Sequence, residues 1–307
     1  MMVLLTGGTG FIGSHLRTRL LRDENIRLCC IGRSASSPST DREQSVSMPL
    51  TEVSPATWAE LGIDRFDVVY HLGAFTPKRA DDANRFGPII ESNINGTANL
   101  LQSFGQPPKR FVMASTLDVY SHSDHMITED SGVQPAGLYG LSKLFCEKMV
   151  SADAASRGYE AVILRYGHIY GPGEDAYQKA IPTFIRNAIA GKPIQLAGDG
   201  EAQRDFLFVG DAVEATLRAG NCTEYWNSPT NVVRGESLAL RDVAQVIKSS
   251  ANSTSEIVFT GKHRGHSILL SNKLMLSRMG DFEYTSFVDG ISLEIDWFRR
   301  AAKHEQQ

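Results

Sequence analysis

Tyr139 and Lys143 stand four residues apart in Tyr-Gly-Leu-Ser-Lys, where apolar residues begin to recur at helical spacing. Residues four apart share one face of an α-helix, so phenol and ammonium can meet. A phenol titrates near ~10 and is a poor base at neutral pH. A nearby ammonium and an oxidised nicotinamide cation both favour the phenolate and lower that value. Tyr139 can then take a proton from a substrate hydroxyl while hydride leaves the same carbon.

Such chemistry requires a bound dinucleotide, and the start of the chain offers a place for one. Met2-Val3-Leu4-Leu5-Thr6 is a short apolar run, followed at once by Gly7-Gly8-Thr9-Gly10-Phe11-Ile12-Gly13. Ser14 to Arg22 then reads as a helix, with Leu16, Leu20 and Leu21 at helical spacing. Gly8, Gly10 and Gly13 fit G-x-G-x-x-G, and Gly7, Gly10 and Gly13 fit G-x-x-G-x-x-G. The first glycines allow a tight turn, a side chain at Gly10 would hold a pyrophosphate away, and Gly13 lets helix pack on strand. The helix N-terminus offers N–H groups and a partial positive charge to phosphate. Gly7, Gly10, Phe11, Ile12 and Gly13 are therefore candidate cofactor contacts.

The second apolar run, Ile26 to Ile31, ends at Gly32-Arg33-Ser34. An acid that bonds the adenosine ribose of NAD belongs about twenty residues beyond the glycines. Arg33 stands there instead. An arginine suits a 2′-phosphate, so NADP is favoured and NAD remains an option; a solvated loop arginine is the alternative. Leu72-Gly73-Ala74 closes the fourth strand, where small residues let backbone approach a cofactor. His71 just before them reads as a structural histidine facing the sheet.

The remaining segments alternate. Strands are expected at 46–50, 66–72, 111–115 and 159–164, and helices at 55–61, 85–104 and 139–155. Alternation predicts an α/β fold, a doubly wound parallel Rossmann sheet covered on both faces. Thr116 to Tyr120 lies at a strand's carboxyl end, where open sheets place ligands. After Arg165 the segments shorten. Residues 1–165 read as the NAD(P)-binding domain, with a return segment at about 204–222, and 166–307 mainly as a smaller C-terminal α/β substrate lobe.

Composition narrows the class. The 307 residues are 42% hydrophobic and 21% charged, with a formal charge of -4. That balance gives no electrostatic case for nucleic acid or an anionic membrane. No apolar run reaches the roughly 18 residues of a spanning helix. A strand starting at Met2 leaves no room for a signal peptide, so a cytoplasmic protein is expected. Cys29, Cys30, Cys146 and Cys222 show no metal spacing and read as thiols in a reducing compartment. No metal site is expected.

The chain resembles the extended short-chain dehydrogenases/reductases, specifically the nucleotide-sugar epimerase/dehydratase group. The likeness rests on TGGTGFIG at 6–13, YHLGA at 70–74, NINGTANLL at 93–101, ASTLDVY at 114–120, YGLSK at 139–143, LRYGHIYGPG at 164–173 and GDGEAQRDFLFVGDAVEA at 198–215. The resemblance implies that Tyr139 is the catalytic acid/base and that Lys143 holds the nicotinamide ribose. It makes Thr116 the hydroxyl that bonds the reacting sugar, and Asn93 a structural or water-holding residue. Arg204 matches the arginine that grips a nucleotide diphosphate, and a planar fork of donors suits phosphate. Arg264 is either a second diphosphate arginine or part of a solvated basic loop. The substrate implied is a nucleotide-diphospho-sugar lying between two lobes. Helices near 85–104 and 139–155 pair into a four-helix bundle in many relatives, which predicts a homodimer.

Departures from the family pattern bear on the reaction. Dehydratases of this group carry Asp-Glu after the threonine; here Leu117 and Asp118 stand in those places. Leucine donates no proton, which disfavours 4,6-dehydration. Asp118 is either a base, as in related decarboxylases, or a structural loop acid. His168 replaces an asparagine near the diphosphate and sugar and is a candidate substrate contact. The reading is an NAD(P)-dependent nucleotide-sugar epimerase working by reversible hydride transfer at a sugar carbon, carbon 4 for preference. The alternative is an NADPH-dependent reductase of a nucleotide-linked 4-keto sugar. A decarboxylase or dehydratase, and a dinucleotide-sensing protein without turnover, rank below both.

Overall fold

The computed structural model describes residues 1–34, 40–123, 125–174, 176–222, 226, 228–263 and 265–304. In chain order the elements begin with β1 (Met2–Thr6), α1 (Phe11–Leu20), β2 (Arg27–Gly32), β3 (Glu43–Ser47), α2 (Pro55–Glu60) and β4 (Val68–His71). There follow α3 (Phe86–Ile89), α4 (Gly96–Ser103), β5 (Arg110–Thr116), α5 (Leu138–Arg157) and β6 (Glu160–Tyr166). The rest comprises β7 (His168–Tyr170), α6 (Ala180–Ile189), β8 (Ile194–Leu196), β9 (Gln203–Phe208), α7 (Val209–Asn221), β10 (Thr230–Val232), β11 (Ser237–Ala239), α8 (Leu240–Ser250), β12 (Ile257–Phe259), α9 (Lys273–Met279) and α10 (Phe287–His304).

The chain forms two compact units. The first holds residues 1–121, 131–166 and 213–230; the second holds 122–130, 167–212 and 231–307. The seven-stranded sheet runs β10-β6-β5-β4-β1-β2-β3, and the pairs from β3 through β6 are parallel. Val3, Leu4 and Leu5 of β1 are fully buried, as a central strand covered on both faces requires. The chain winds from β1 outward through β2 to β3, then crosses back to β4, β5 and β6. Strand order therefore reverses between β1 and β4, the switch point at which open α/β sheets bind ligands. The glycine turn after β1 and Leu72-Gly73-Ala74 after β4 both lie at that point.

Helix α5 is held to the sheet by a buried ion pair. Glu147 accepts from Arg165 Nε at 2.9 Å and Nη2 at 2.7 Å, and from the Ser115 hydroxyl at 2.5 Å. Ser115 and Arg165 are register partners on β5 and β6. All three residues are buried. The Arg165 guanidinium also lies 4.8 Å from the Tyr120 ring centre, a cation–π placement.

Three elements differ from the sequence reading, each for a physical reason. The helix expected over 85–104 is broken: α3 leads into a wide π-turn at Ile90–Asn95 before α4 begins. That turn carries the buried Asn93, whose amide is fully engaged. Its Oδ1 accepts from the Phe75 N–H at 2.7 Å; its Nδ2 donates to the Phe75 carbonyl at 3.2 Å and to Ser142 Oγ at 3.0 Å. The third strand starts at Glu43 rather than Val46, because Glu43 is the buried partner of Arg17 on α1, at 2.5 and 2.7 Å. The passage back into the first unit covers 213–230, later than 204–222, because Gln203–Phe208 is a strand between β7 and β11 of the second unit. Residues 213–230 are tied down by Arg110 donating to the Ala219 carbonyl at 3.0 Å and by a 2.6 Å bond between the Tyr166 and Thr216 hydroxyls.

The second unit packs around Tyr170, Phe184, Phe206, Val243, Ile247 and Ile291. Its sheets are small: β11-β9-β7, and β12 with β8. The four cysteines are free thiols. Among the described residues no helix is long and apolar enough to cross a membrane, and no cluster of three or more His, Cys, Asp or Glu could hold a metal ion.

Breaking the Glu147 pair leaves a buried, uncompensated guanidinium. Glu147→Ala is expected to lower unfolding free energy by about 3–5 kcal/mol, read from urea denaturation. A change under about 0.5 kcal/mol would mean the pair does not fix α5.

Candidate active site

The glycine turn is closed by backbone contacts that a side chain would destroy. Gly7 has φ +74°, and a Cβ there would stand 2.7 Å from the Gly73 nitrogen. A Cβ on Gly13 would overlap the Gly7 carbonyl oxygen. A Cβ on Gly10 would meet only that same carbonyl, at 3.2 Å, so its face is otherwise open. Helix α1 starts at Phe11 with Gly10 as N-cap, no side-chain cap and no acid in its first turn. Its positive end is thus not neutralised by its own first turn, as an anion site requires.

Behind the turn, β1, β4 and α4 are stitched by polar bonds. Thr6 Oγ1 accepts from the Gly73 N–H at 2.9 Å and pairs with His71 Nδ1 at 2.8 Å; His71 Nε2 pairs with Thr97 Oγ1 at 2.8 Å. Burial, with the Lys143 charge adding to it, pushes the His71 imidazole down to about 3. The ring is neutral and structural, as the sequence suggested, and it fixes Gly73 beside Gly7. Arg33 is exposed at the end of β2, where its carbonyl accepts from Ser47 Oγ at 3.1 Å.

Thr116 ends β5 and caps the short 3-10 turn Leu117–Val119, its Oγ1 accepting from the Asp118 N–H at 3.2 Å. Its own proton has no acceptor among the described residues. Asp118 is exposed. A Cβ on Gly140 would overlap the Asp118 carbonyl, so this turn lies directly on the start of α5. Tyr139 is half-buried there, and its carbonyl accepts from Ser142 Oγ at 2.7 Å.

Lys143 is buried. It has no hydrogen bond or ion pair among the described residues, because Glu147, one turn on, is taken by Arg165 and Ser115. Burial lowers the Lys143 ammonium, while Cys146 and Glu147 raise it. A buried cation without a partner is costly unless a ligand supplies one. The open glycine turn, the uncapped helix start and the unpaired Lys143 together fit a dinucleotide.

The second unit contains a cavity of about 220 Å³ whose walls include His168, Glu174, Lys179, Ile181, Arg204 and Phe206. Arg204 Nη1 donates to the carbonyls of Gln203 at 2.8 Å and His266 at 2.5 Å. No carboxylate pairs with it among the described residues, and burial lowers its guanidinium. The His168 Nδ1 is enclosed without a partner among the described residues. Burial first, then the Arg204 and Lys179 charges, push its imidazole down to about 4. Lys179 Nζ lies 3.2 Å from Glu174 Oε1. The remaining candidate, Arg264, lies outside the described residues.

Sequence and fold point to one family, and comparison decides it. The model of the NAD dependent epimerase/dehydratase family matches residues 3–229. The chain belongs to this family. It is 30% identical to a UDP-N-acetyl-alpha-D-glucosaminuronate decarboxylase of Bacillus cytotoxicus, over 96% of this chain and 97% of that protein. It is 28% identical to an uncharacterized UDP-glucose epimerase, YtcB, of Bacillus subtilis, over 86% of this chain and 87% of that protein. The fold is similar to a crystal structure of UDP-glucuronic acid 4-epimerase from Bacillus cereus in complex with UDP-glucuronic acid and NAD. The TM-score is 0.85 at 24% identity, covering 98% of this chain and all of the other. Family members of this kind are enzymes, and the expected doubly wound architecture is the one observed.

Sequence reasoning missed four contributors. Gly140, Glu147 and Arg165 matter only through tertiary contacts. The Glu174–Lys179 pair falls in a stretch that reads as a turn, and an acid directly after Gly171-Pro172-Gly173 was its one signal.

Proposed function

We propose that this chain is an NAD(P)-dependent nucleotide-sugar epimerase that oxidises and re-reduces one sugar carbon, carbon 4 for preference. The observation that carries the reading is Lys143: a buried ammonium with no partner, one turn after Tyr139, on a helix pinned beside Thr116. Tyr139 takes the proton of the sugar hydroxyl and later returns it. Lys143 lowers the cost of the phenolate and holds the nicotinamide ribose hydroxyls. Thr116 donates to the reacting oxygen. When bound, the dinucleotide supplies the hydride acceptor and donor. In the second unit, Arg204 grips the diphosphate, His168 bonds the substrate as a neutral imidazole, and the cavity takes the nucleoside.

The relatives named as acting on UDP-sugars support a UDP-linked substrate. Tyr139→Phe and Arg204→Ala separate the two roles on a panel of UDP-hexoses followed by NMR. Tyr139→Phe lowers kcat about 10²–10⁴-fold with KM little changed. Arg204→Ala raises KM with kcat largely kept, at the scale of about 10–100-fold for one charged hydrogen bond. Full activity in Tyr139→Phe would sink the acid/base assignment.

Arg33 supports NADP as the preferred dinucleotide, since no carboxylate stands at 32–34 to accept from a ribose 2′-hydroxyl. Arg33→Ala then weakens NADPH about 10–100-fold and leaves NADH unchanged, read by fluorescence titration. Equal wild-type affinity for both would refute the preference.

A homodimer is proposed on the exposed apolar side chains Phe86, Ile90, Leu141 and Phe145, which are 64%, 40%, 51% and 55% accessible. They sit on neighbouring helical segments of the first unit, and a patch of that kind marks an interface. Wild type is expected at twice 33.7 kDa in light scattering, and Phe145→Glu at the single-chain mass. A monomeric wild type at micromolar concentration would refute it.

A further inference from the structure

Two glutamates of the second unit are buried together without the partners a buried carboxylate needs. Glu174 follows the turn after β7 and borders the cavity; Glu294 lies on α10. Both are almost wholly inaccessible, at 1% and 0%. Glu174 Oε1 has Lys179, but Glu174 Oε2 and both oxygens of Glu294 have no hydrogen-bond partner among the described residues.

Helix packing brings them together. Gly290 and Glu294 are four apart on α10 and so share a face. At Gly290 the helix touches β7 directly: a Cβ there would overlap the Tyr170 hydroxyl. One turn on, Glu294 therefore meets the chain that leaves Tyr170, which is the 171–174 turn. The Gly171 N–H forms no hydrogen bond with Glu294 or with Glu174 Oε2, but its dipole favours the ionised form of both carboxyls. The other charged or titratable groups around them are Lys179, Arg186, Tyr170 and Tyr177. Arg186 on α6 bridges the same two elements, stacking 5.4 Å from the Phe298 ring on α10 and donating to the Tyr177 carbonyl at 3.4 Å.

We infer that Glu174 and Glu294 share one proton, and that this single-proton pair holds the side of the cavity formed by Glu174 and Lys179 against α10. Two ionised carboxylates in this place would repel in a low dielectric. One neutral acid and one carboxylate do not: Glu294 stays protonated and Glu174 remains the counter-ion that positions Lys179 at the cavity. Glu294 is a positioning residue, acting through Glu174. Burial raises both carboxyls against the lowering effect of Lys179, Arg186 and the Gly171 N–H; for Glu294 the Glu174 charge is the next largest cause and raises it further.

The sign of the pH dependence follows. The folded state holds the proton more tightly than the unfolded chain, whose glutamates titrate in the ordinary range. Stability contributed by the pair therefore falls as pH rises from that range through neutral into the alkaline range, and is constant beyond.

Wild type, Glu294→Gln and Glu174→Gln are melted from pH 5 to pH 9.5. An amide in place of the shared acid removes the proton dependence. Glu294→Gln is expected to match wild type near pH 5 and to melt at least about 3 °C higher at pH 9. Difference infrared spectra at pH 7.5 should lose the carbonyl band of a protonated carboxyl in Glu294→Gln. Parallel melting curves with no band lost would overturn the inference. A third arm, UDP binding by calorimetry, rests on the proposed nucleoside site. Wild-type affinity should fall about tenfold from pH 7.5 to 9.5, and that of Glu294→Gln less than about twofold. If UDP binds at no pH, the nucleoside assignment fails, and melting and infrared still decide the proton pair.

Discussion

The Glu147–Arg165 ion pair sets the geometry of the first unit's chemistry. Neither charge can be left alone in the interior, so the pair is made in one way only. Its consequence runs along α5. Tyr139, Lys143 and Glu147 are spaced by four and form one stripe on the helix, about 12 Å long at 1.5 Å per residue. Fixing Glu147 to β6 therefore fixes the height and rotation of the two residues above it. The Ser115 hydroxyl bound to the same carboxylate at 2.5 Å belongs to the residue before Thr116. One buried contact thus aligns Tyr139, Lys143 and Thr116, the three residues proposed to move the proton and bond the sugar.

The same contact explains why Lys143 stays unpaired. Glu147 is the carboxylate nearest to it along the helix, and its oxygens are already occupied. Lys143 is buried, and burial lowers its tendency to ionise. A sequence that satisfied local rules everywhere would have paired it or replaced it. Conflicts of this kind concentrate where a ligand is meant to complete the structure. Asn93 is the opposite case. The π-turn that breaks the helix expected over 85–104 turns its amide inward, and its three bonds join the Phe75 loop to Ser142. It is structural, one of the two roles its family position implied.

Local signals were legible and tertiary ones were not. Gly7, Gly13 and the strand before them could be read because turn, strand and helix each demand particular neighbours in sequence. The Tyr139–Lys143 pair could be read because four-residue spacing is a property of one helix. The cores of β4, β5 and α5 followed from apolar runs. By contrast, nothing in the sequence near Gly140 says that the Asp118 carbonyl will lie on it. Nothing near Glu43 says that Arg17 will reach it, so the strand begins three residues before the apolar run that marks it in the sequence. Glu174 and Glu294 are 120 positions apart, and only the packing of Gly290 on Tyr170 brings them into one place.

The 3-10 turn after Thr116 also constrains the reaction. Loss of water from a sugar needs one acid/base at the oxidised carbon and a second pair at the neighbouring carbons. Here the turn offers Leu117, which moves no proton, and Asp118, which is exposed. Epimerisation needs less: one hydroxyl is deprotonated and one carbonyl oxygen is reprotonated, both by the same group. Tyr139 with Lys143 behind it meets that requirement alone. A ketone reductase uses the same half-reaction in one direction. Retention of the dinucleotide between turnovers therefore separates the two reactions, and on the proposed assignment it is set by the residues that would hold the cofactor, the α1 N-terminus, Arg33 and Lys143, rather than by the group that moves the proton.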